Sequence, residues 1–442
     1  MSKKNELQDL AQWACDAAVK AGADEARATA SRSRYTSLEY REQKVEALEE
    51  SMRKSVSVSL FINGKYSGHR TSDLRKDAVI KFIGESVAMT KYLTEDPYRK
   101  LPDPKYYGDQ SEADLDLVDS KYDAVAPEDR HRLIQELELA ALDAGGDKII
   151  SVEAGYYDSL SETATVNSNG FSGYAERTDF WTGASVTAKD EGDKRPSDWW
   201  WEGNPHRDRL GAASRIGKIA VSRALDRIGS EKLPTEKMTI VVENRAAGRL
   251  LGFMQNGLYG RNLQQKSSYL EGKKGEQIAS ELLTIYDDPF VPRGNGSRHF
   301  DDEGLSARRM PIIEKGVLKN YYIDSYYARK LGVEATTGGG SNGVFDLGDK
   351  DQAGWLREVG RGLLVTGFLG GNSNSSTGDF STGVQGFLFE NGEIVRPVGE
   401  LNVAGNHLEF WHSLIGLGND PYPFSSLLTP TLVFDGVTVA GA

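Results

Sequence analysis

The most informative stretch of this 442-residue chain is Gly248-Arg249-Leu250-Leu251-Gly252-Phe253-Met254-Gln255-Asn256-Gly257-Leu258-Tyr259-Gly260. It predicts a short helix over Ala246–Met254, with glycines after it. No histidine or glutamate lies between Leu250 and Tyr259. The chain on either side of this helix alternates glycines with strand-like runs, so the stretch belongs to a β-rich half.

Strand-like runs fill the C-terminal half at Met238–Val242, Leu282–Tyr286, Pro311–Tyr322, Leu363–Leu369 and Gly386–Val395. Lys315-Gly316 and Asn391-Gly392 each sit between alternating apolar runs and predict hairpin turns. Only one further short helix is predicted there, over Asp324–Lys330. This half is therefore expected to be mainly antiparallel β with few short helices.

The N-terminal half mixes helices and strands. Helices are predicted over Asn5–Ala21, over Leu74–Leu93, from Pro127 to Gly145-Gly146, and from Asn204-Pro205 onward. Asn63-Gly64 predicts a tight hairpin, and a polar linker is expected over Glu95–Lys121. The predicted strands are Ala26–Ser33, Leu38–Leu48, Met52–Ile62, Ile149–Tyr157, Ser161–Ser168 and Phe171–Ala188.

The predicted fold class is α+β with two domains. Residues 1–229 form an N-terminal domain of helices packed on antiparallel strands, and residues 236–442 form the β-rich C-terminal domain. The boundary is placed at Gly229–Thr235, which is polar and carries both helix-breaking residues.

The composition of the chain argues against several classes of function. Charged residues make up 27% of the chain and apolar residues 38%, as in ordinary globular proteins, and the net charge is −12. That charge argues against direct nucleic-acid binding and against binding to an anionic membrane. Cys15 is the only cysteine, which excludes a disulfide framework. With no signal-like or membrane-spanning run, the protein is expected in the cytoplasm.

The histidines do not predict a metal site. The chain has six, and none forms a His-x-x-x-His pair. His407 and His412 are five residues apart, which on a helix leaves the rings roughly 140° apart and on a strand puts them on opposite faces. A site that joins them to His299 in the fold stays open, but ordinary polar packing is favoured.

The glycine cluster Thr337-Gly338-Gly339-Gly340-Ser341-Asn342-Gly343 matches two short patterns, G-x-G-x-x-G and G-x-S-x-G. Both patterns need a strand before the turn and a helix after it. The residues that follow, Val344–Gly348, do not predict a helix. A flexible loop is the simpler interpretation. The chain order Ser341, Asp379, His407 keeps a serine hydrolase as an alternative.

Two other segments are unusual. Gly367–Gly383 pairs bare backbone with hydroxyls and one carboxylate, which suits either a wall of a peptide cleft or a structural turn capped by Asp379. Trp199–Trp201 puts three tryptophans in a row, and these cannot all face one core. At least one is expected at a surface, as an interface or ligand shelf, or in packing between the domains.

The opening stretch, together with Gly275–Pro289 and the Thr377-Gly378-Asp379-Phe380-Ser381 segment, resembles the core motifs of the TldD/PmbA family of cytosolic metalloproteases, also called modulators of DNA gyrase. The catalytic branch of that family carries a helical His-Glu-x-x-x-His zinc motif. Here Gly252 and Phe253 stand in place of the first His and the Glu, and Asn256 lies near the second His. The family's cysteine ligand is also missing, since Tyr422–Leu428 holds none. The resemblance implies the metal-free TldE/PmbA-like branch, with no catalytic residues and no metal of its own.

Such a chain is expected to be one subunit of a TldD/TldE-type metalloprotease that acts on unfolded peptides. The resemblance implies zinc only in a TldD-like partner subunit, a heterodimer with that partner or a homodimer when alone, and no activity without the partner. The negative charge implies that any effect on gyrase is indirect. A stand-alone peptide-binding module and the Ser341 hydrolase are the alternatives.

A cleft for an extended peptide is predicted around the short helix and the loop Gly370–Gly383. Phe253 would form an apolar wall where water and metal sit in the catalytic branch, and open glycine backbone would pair with the peptide. A filled structural remnant is the alternative. The residues expected to line the cleft are Gly257, Gly370, Gly371, Asp379, Ser381 and Gly383.

Overall fold

The computed structural model describes residues 3–108 and 113–441, so part of the predicted linker lies outside the described residues. The helices are α1 (Lys3–Lys20), α2 (Lys76–Thr90), α3 (Pro127–Gly145), α4 (Ala213–Leu225), α5 (Asn244–Gln255), α6 (Gly260–Gln264), α7 (Ser325–Leu331), α8 (Gln352–Val359) and α9 (His407–His412). The strands are β1 (Glu25–Arg41), β2 (Lys44–Ile62), β3 (Lys65–Thr71), β4 (Ile149–Asn167), β5 (Ser172–Ala188), β6 (Ser197–Asn204), β7 (Glu236–Val242), β8 (Ile285–Asp288), β9 (Met310–Glu314), β10 (Val317–Leu318), β11 (Asn342–Phe345), β12 (Arg361–Ser373), β13 (Asp379–Glu390), β14 (Glu393–Asn406), β15 (Leu414–Leu417) and β16 (Leu432–Ala440).

The N-terminal half is one antiparallel sheet covered by four helices. The strand order is β3-β2-β1-β4-β5-β6. Ala26, Ala28 and Ala30 alternate along β1 and are fully buried in a core shared with α1 and α2. Further along the same strand, Leu38 and Tyr40 pack into a second core with α3 and α4. Because side chains alternate across a strand, these even-numbered residues place all four helices on one face of the sheet.

The first hairpin is longer than predicted. The chain reverses at Glu42-Gln43, where both residues have positive φ (53° and 58°). The predicted strand Leu38–Leu48 is therefore wrong, because it runs through this turn. Neither residue is a usual turn former, which is why the reversal left no signal in the sequence. The predicted turn at Asn63-Gly64 is confirmed, with φ of 48° and 72°.

The helix predicted from Asn204-Pro205 starts later. Ser197–Asn204 is the edge strand β6, which contains the tryptophan run, and α4 begins only at Ala213. Within α4, Ile216, Ala220 and Ala224 are buried against the sheet.

The C-terminal half closes into a small barrel. Its larger sheet has the order β14-β13-β12-β7-β16-β15, and an added pairing of the end strand β14 with β16 closes it. Among its described ladders, only that between β7 and β12 is parallel. A four-stranded sheet, β10-β9-β8-β11, packs nearby. Phe434 and Trp411 fill the interior.

Two details of this half differ from prediction. The described residues contain α6, α8 and α9 in addition to the two predicted short helices, so the expectation of only two is wrong. The strand predicted from Leu282 begins at Ile285. The turns at Lys315-Gly316 and Asn391-Gly392 are confirmed by positive φ at all four residues.

The predicted α+β class is confirmed by these sheets and helices. The division into two domains at Gly229–Thr235 stays a prediction. None of the helices in the described ranges is long and apolar enough to cross a membrane.

Candidate functional site

Helix α5 carries Gly252 and Phe253, and Asn256 directly follows its last residue. These are the three positions predicted to correspond to the zinc motif of the catalytic branch. The helix follows β7 directly and packs on β12. Gly252 has open space around it, and Asn256, one turn later, is exposed. Phe253 points inward and is 7% exposed. The three positions therefore face different surroundings.

Phe253 leads to a buried histidine at the centre of an aromatic cluster. The ring of His407 lies 4.7 Å from that of Phe380, 5.6 Å from that of Tyr269 and 6.2 Å from that of Phe253, between centroids. Its Nε2 is 2.9 Å from the Ser373 hydroxyl. Burial lowers the pKa of His407 to about 4, so the ring is neutral at physiological pH.

Two polar atoms in this cluster have no hydrogen-bond partner among the described groups. They are Nδ1 of His407 and the hydroxyl of Tyr269. Burial also raises the pKa of the Tyr269 hydroxyl. Aromatic stacking therefore holds His407 in place, and one hydrogen bond orients it.

These residues do not fit a zinc ion. Catalytic zinc takes three protein ligands from His, Cys, Asp and Glu, whereas glycine and phenylalanine at 252 and 253 offer no side-chain donor. His412 is exposed at the end of α9, and His299 lines a separate cavity with Leu115 and Arg177. Within the described ranges, no three potential ligand side chains lie close enough to hold a metal.

The segment predicted as the loop Gly370–Gly383 is mostly strand. β12 runs to Ser373 and β13 begins at Asp379, so the connecting turn spans only residues 374–378. Asp379 accepts hydrogen bonds from Thr377 Oγ1 (2.7 Å) and Asn406 Nδ2 (2.9 Å). Ser381 donates to Asn402 Oδ1 (3.2 Å). Both side chains thus bind within the hairpin and its neighbour β14.

The cleft glycines differ in their surroundings. A Cβ on Gly371 would lie 2.5 Å from the Ser381 carbonyl oxygen, and one on Gly383 would lie 2.8 Å from that of Leu369. These two glycines let the hairpin strands approach each other. Gly257 is buried under Tyr269 and Leu270, whereas Gly370 has open space around it.

One edge of β12 has no strand partner over half its length. Its pairing with β7 covers only Leu363–Val365, while its pairing with β13 on the other side continues to Ser373. Among the described residues, no strand pairs with the β7-side edge of 366–373. Leu369 on this stretch is 51% exposed. We call residues 366–373 the free edge of β12.

The side chains of the possible hydrolase triad are not hydrogen-bonded to one another among the described contacts. Ser341 is buried, its backbone N–H donates to Asp287 Oδ1, and its hydroxyl has no partner among the described groups. His407 binds Ser373, and Asp379 binds Thr377 and Asn406. The glycine cluster leads into strand β11, without the helix that a nucleophile elbow needs.

Comparison with known proteins identifies the family. The family model of the PmbA/TldA metallopeptidase C-terminal domain matches residues 235–441, and that of the central domain matches residues 120–228. The chain belongs to the PmbA/TldD family. The predicted resemblance is thereby confirmed.

Several members of the PmbA/TldD family resemble this chain over nearly its full length. Metalloprotease PmbA of Escherichia coli O157:H7 is 29% identical over 95% of this chain and 92% of that protein. A crystal structure from Bacteroides thetaiotaomicron, described as a putative modulator of DNA gyrase, is 39% identical with a TM-score of 0.96 and covers 100% of both chains. TldE from Thermococcus kodakarensis has a TM-score of 0.87 at 22% identity, with 98% of this chain and 99% of that one covered, and shares the fold.

The tryptophan run occupies the edge strand β6. Trp199 is 43% exposed, as expected for at least one of the three. Trp200 makes edge contacts with Tyr422 and Phe424 of the C-terminal half. Trp201 stacks on Tyr157, 5.3 Å between centroids. The run therefore divides between surface, inter-half packing and sheet face.

A cavity lies beside Trp199, and its arginines were not predicted as site residues. It lies between β6, α5 and the free edge of β12, and its lining includes Arg195, Arg227, Arg245 and Arg249. These arginines come from three separate parts of the chain. No local sequence motif therefore predicts that they form one site. Only the packing of the two halves brings them together.

Proposed function

We propose that this chain is the non-catalytic, TldE/PmbA-like subunit of a cytoplasmic TldD/TldE-type peptidase, with zinc held only by a TldD-like partner. The observation that carries the proposal is the composition of α5 and its C-terminal end, where Gly252, Phe253 and Asn256 stand in place of the metal-binding and water-activating residues. Phe253 and His407 fill the space beneath the helix with aromatic rings. Peptide hydrolysis then depends on the partner's groups.

The contribution of this chain would be to hold the substrate. A strand edge without a partner offers backbone N–H and C=O groups to an extended peptide. The free edge of β12 lies next to α5, since Arg249 approaches the Gly370 carbonyl at 3.4 Å. Pairing through the backbone tolerates varied side chains, which suits unfolded peptides as the substrate class.

Co-expression with a TldD-like subunit tests this function. We expect a stable complex that cleaves an unstructured peptide, and no cleavage by either chain alone. Mutation of the zinc-binding histidines of the partner should abolish cleavage, whereas His299→Ala and His412→Ala in this chain should leave it unchanged. Metal analysis of the purified chain after incubation with zinc should find less than stoichiometric metal.

Three outcomes would contradict the proposal. Stoichiometric zinc tightly held by this chain alone would overturn its non-catalytic role. Cleavage by this chain alone, lost on Ser341→Ala, would establish the hydrolase instead. Peptide binding without any complex with a TldD-like subunit would leave a stand-alone peptide-binding module.

A further inference from the structure

The cavity beside Trp199 is positively charged in an acidic protein. Its volume is about 750 Å³, within the range of small-ligand sites. Four arginines line it, against a single carboxylate, that of Asp198. The whole chain has a net charge of −12, so the cavity opposes the overall charge and would concentrate anions locally.

Arg227 is half-buried in this cavity and is held by neutral groups. Its guanidinium donates to the backbone carbonyl of Ser197 and to Oε1 of Gln385, which are both neutral acceptors. Within the described ranges, no carboxylate lies within ion-pair distance of it. Burial lowers the pKa of Arg227, and the nearby Arg245 and Arg223 lower it further, although Asp198 opposes them. A cation that is partly removed from water without a paired anion is costly. A bound anion would therefore stabilise the half-buried Arg227.

Arg249 is a second lining arginine without an ion pair among the described residues, and it donates to the Gly370 carbonyl at 3.4 Å. It is exposed on α5, and its guanidinium lies 4.7 Å from the centre of the Phe253 ring. Arg245 differs, because Asp198 at 2.9 Å and Glu243 at 3.6 Å neutralise it. Arg195 is exposed, donates to the carbonyls of Gly192 and Lys194, and also has no ion pair in the described residues. The unpaired positive charge of the cavity therefore comes from Arg195, Arg227 and Arg249.

The free edge of β12 forms one wall of this cavity. Thr366, Gly367, Phe368, Leu369 and Gly370 all line it. A peptide strand added to this edge would place alternate side chains toward the arginines. Trp199 and Leu369 supply exposed apolar surface for neighbouring side chains.

We infer that this cavity selects peptides with acidic side chains, and that Arg227 and Arg249 bind the carboxylate of a residue in the peptide strand paired with β12. Arginine suits this role because its planar fork matches a carboxylate. The inference rests on the proposed function, since it needs a peptide at the free edge. It adds a preference in substrate sequence that backbone pairing alone cannot provide.

Two fluorescein-labelled peptides of equal length test the inference. Both have an alanine- and threonine-based sequence, with glutamates in one and glutamines at the same positions in the other. Binding to the full-length chain is measured by fluorescence anisotropy. We expect the glutamate peptide to bind at least about tenfold more tightly, since a charge-assisted hydrogen bond adds more than a kilocalorie per mole, and added salt should reduce this preference.

The variants Arg227→Gln and Arg249→Gln should each remove most of the preference and leave affinity for the glutamine peptide unchanged. Arg53→Gln, at an exposed arginine in the N-terminal sheet (72% side-chain exposure), is the matched control and should preserve it. Arg249 is exposed, so its variant remains informative if the Arg227 variant fails to fold.

Equal affinity for the two peptides would overturn the acidic preference while leaving peptide capture intact. Failure to bind either peptide would overturn both the inference and the proposed capture of peptide. Displacement of the glutamate peptide by inorganic phosphate at equal concentration would show a phosphate site and overturn the assignment to peptide carboxylates.

Discussion

His407 stacks on Phe380 with ring centroids 4.7 Å apart and ring planes 23° from parallel. Tyr269 also stacks on the imidazole, at 5.6 Å and 20°. This arrangement makes the histidine an aromatic filler beneath α5. It also has a measurable consequence, because a stacked, buried imidazole resists protonation.

Stability should fall in mild acid because of His407. Its pKa is about 4 in the folded chain and about 6.5 when unfolded. Between these values the unfolded chain binds more protons, so this contribution is complete above about pH 6.5 and is lost as pH falls toward 4, by at most roughly 3 kcal/mol. In denaturant titrations at several pH values, His407→Phe should flatten this part of the profile. His412→Phe, at an exposed position, should not, and an unchanged slope in the His407 variant would contradict the assignment.

Gly370 and Gly371 form a matched pair for testing the hairpin. Both have positive φ (56° and 85°), but only a Cβ on Gly371 would collide with the facing strand. Gly370→Ala should cost about 1 kcal/mol through backbone strain. Gly371→Ala should cost about 2 kcal/mol more through overpacking against Ser381 and Thr382. Chemical denaturation measures both, and equal losses would show that the strands can separate to accommodate the methyl group.

The Ser341 hydroxyl should contribute nothing to the stability of the fold. This buried hydroxyl has no hydrogen-bond partner among the described groups, so Ser341→Ala should leave stability unchanged or raise it by up to about 1 kcal/mol. Ser373→Ala removes the bond to His407 and should cost about 1 kcal/mol or more. Thermal unfolding of the two variants compares them. A large loss in the Ser341 variant would indicate an essential contact at that hydroxyl.

Asp198 should be essential for joining the two halves. Its carboxylate, 4% exposed, pairs with Arg245 on α5 at 2.9 Å and with Arg223 on α4 at 3.6 Å. Asp198→Asn leaves both arginines short of a counter-charge and should cost about 3 kcal/mol. Glu49→Gln breaks an exposed pair with Arg53 and should change stability by less than about 0.5 kcal/mol. A small loss for the Asp198 variant would mean that Glu243 alone suffices to neutralise this cluster.

Local chemistry predicted much of the fold. The hairpins at Asn63-Gly64, Lys315-Gly316 and Asn391-Gly392 were predictable because each has a glycine, which in two of them follows an asparagine, and positive φ favours these two residue types. The helix α3 was predictable from proline at its first turn and glycine at its end. The turn at Glu42-Gln43 and the strand β6 were not, because ladder pairing over long distances overrides weak local preference.

The sequence by itself determined the family, the α+β class and the absence of the zinc-binding motif from α5, since each depends on which residues stand at which positions along the chain. Only the tertiary structure decided how the barrel closes through β14 and β16, which edge of β12 is free, and that Arg227 and Arg249 share a cavity with Trp199. These features join residues far apart in the chain. No local propensity encodes them, because barrel closure and the free edge depend on strand pairing within the C-terminal half, and the cavity depends on contacts between the two halves.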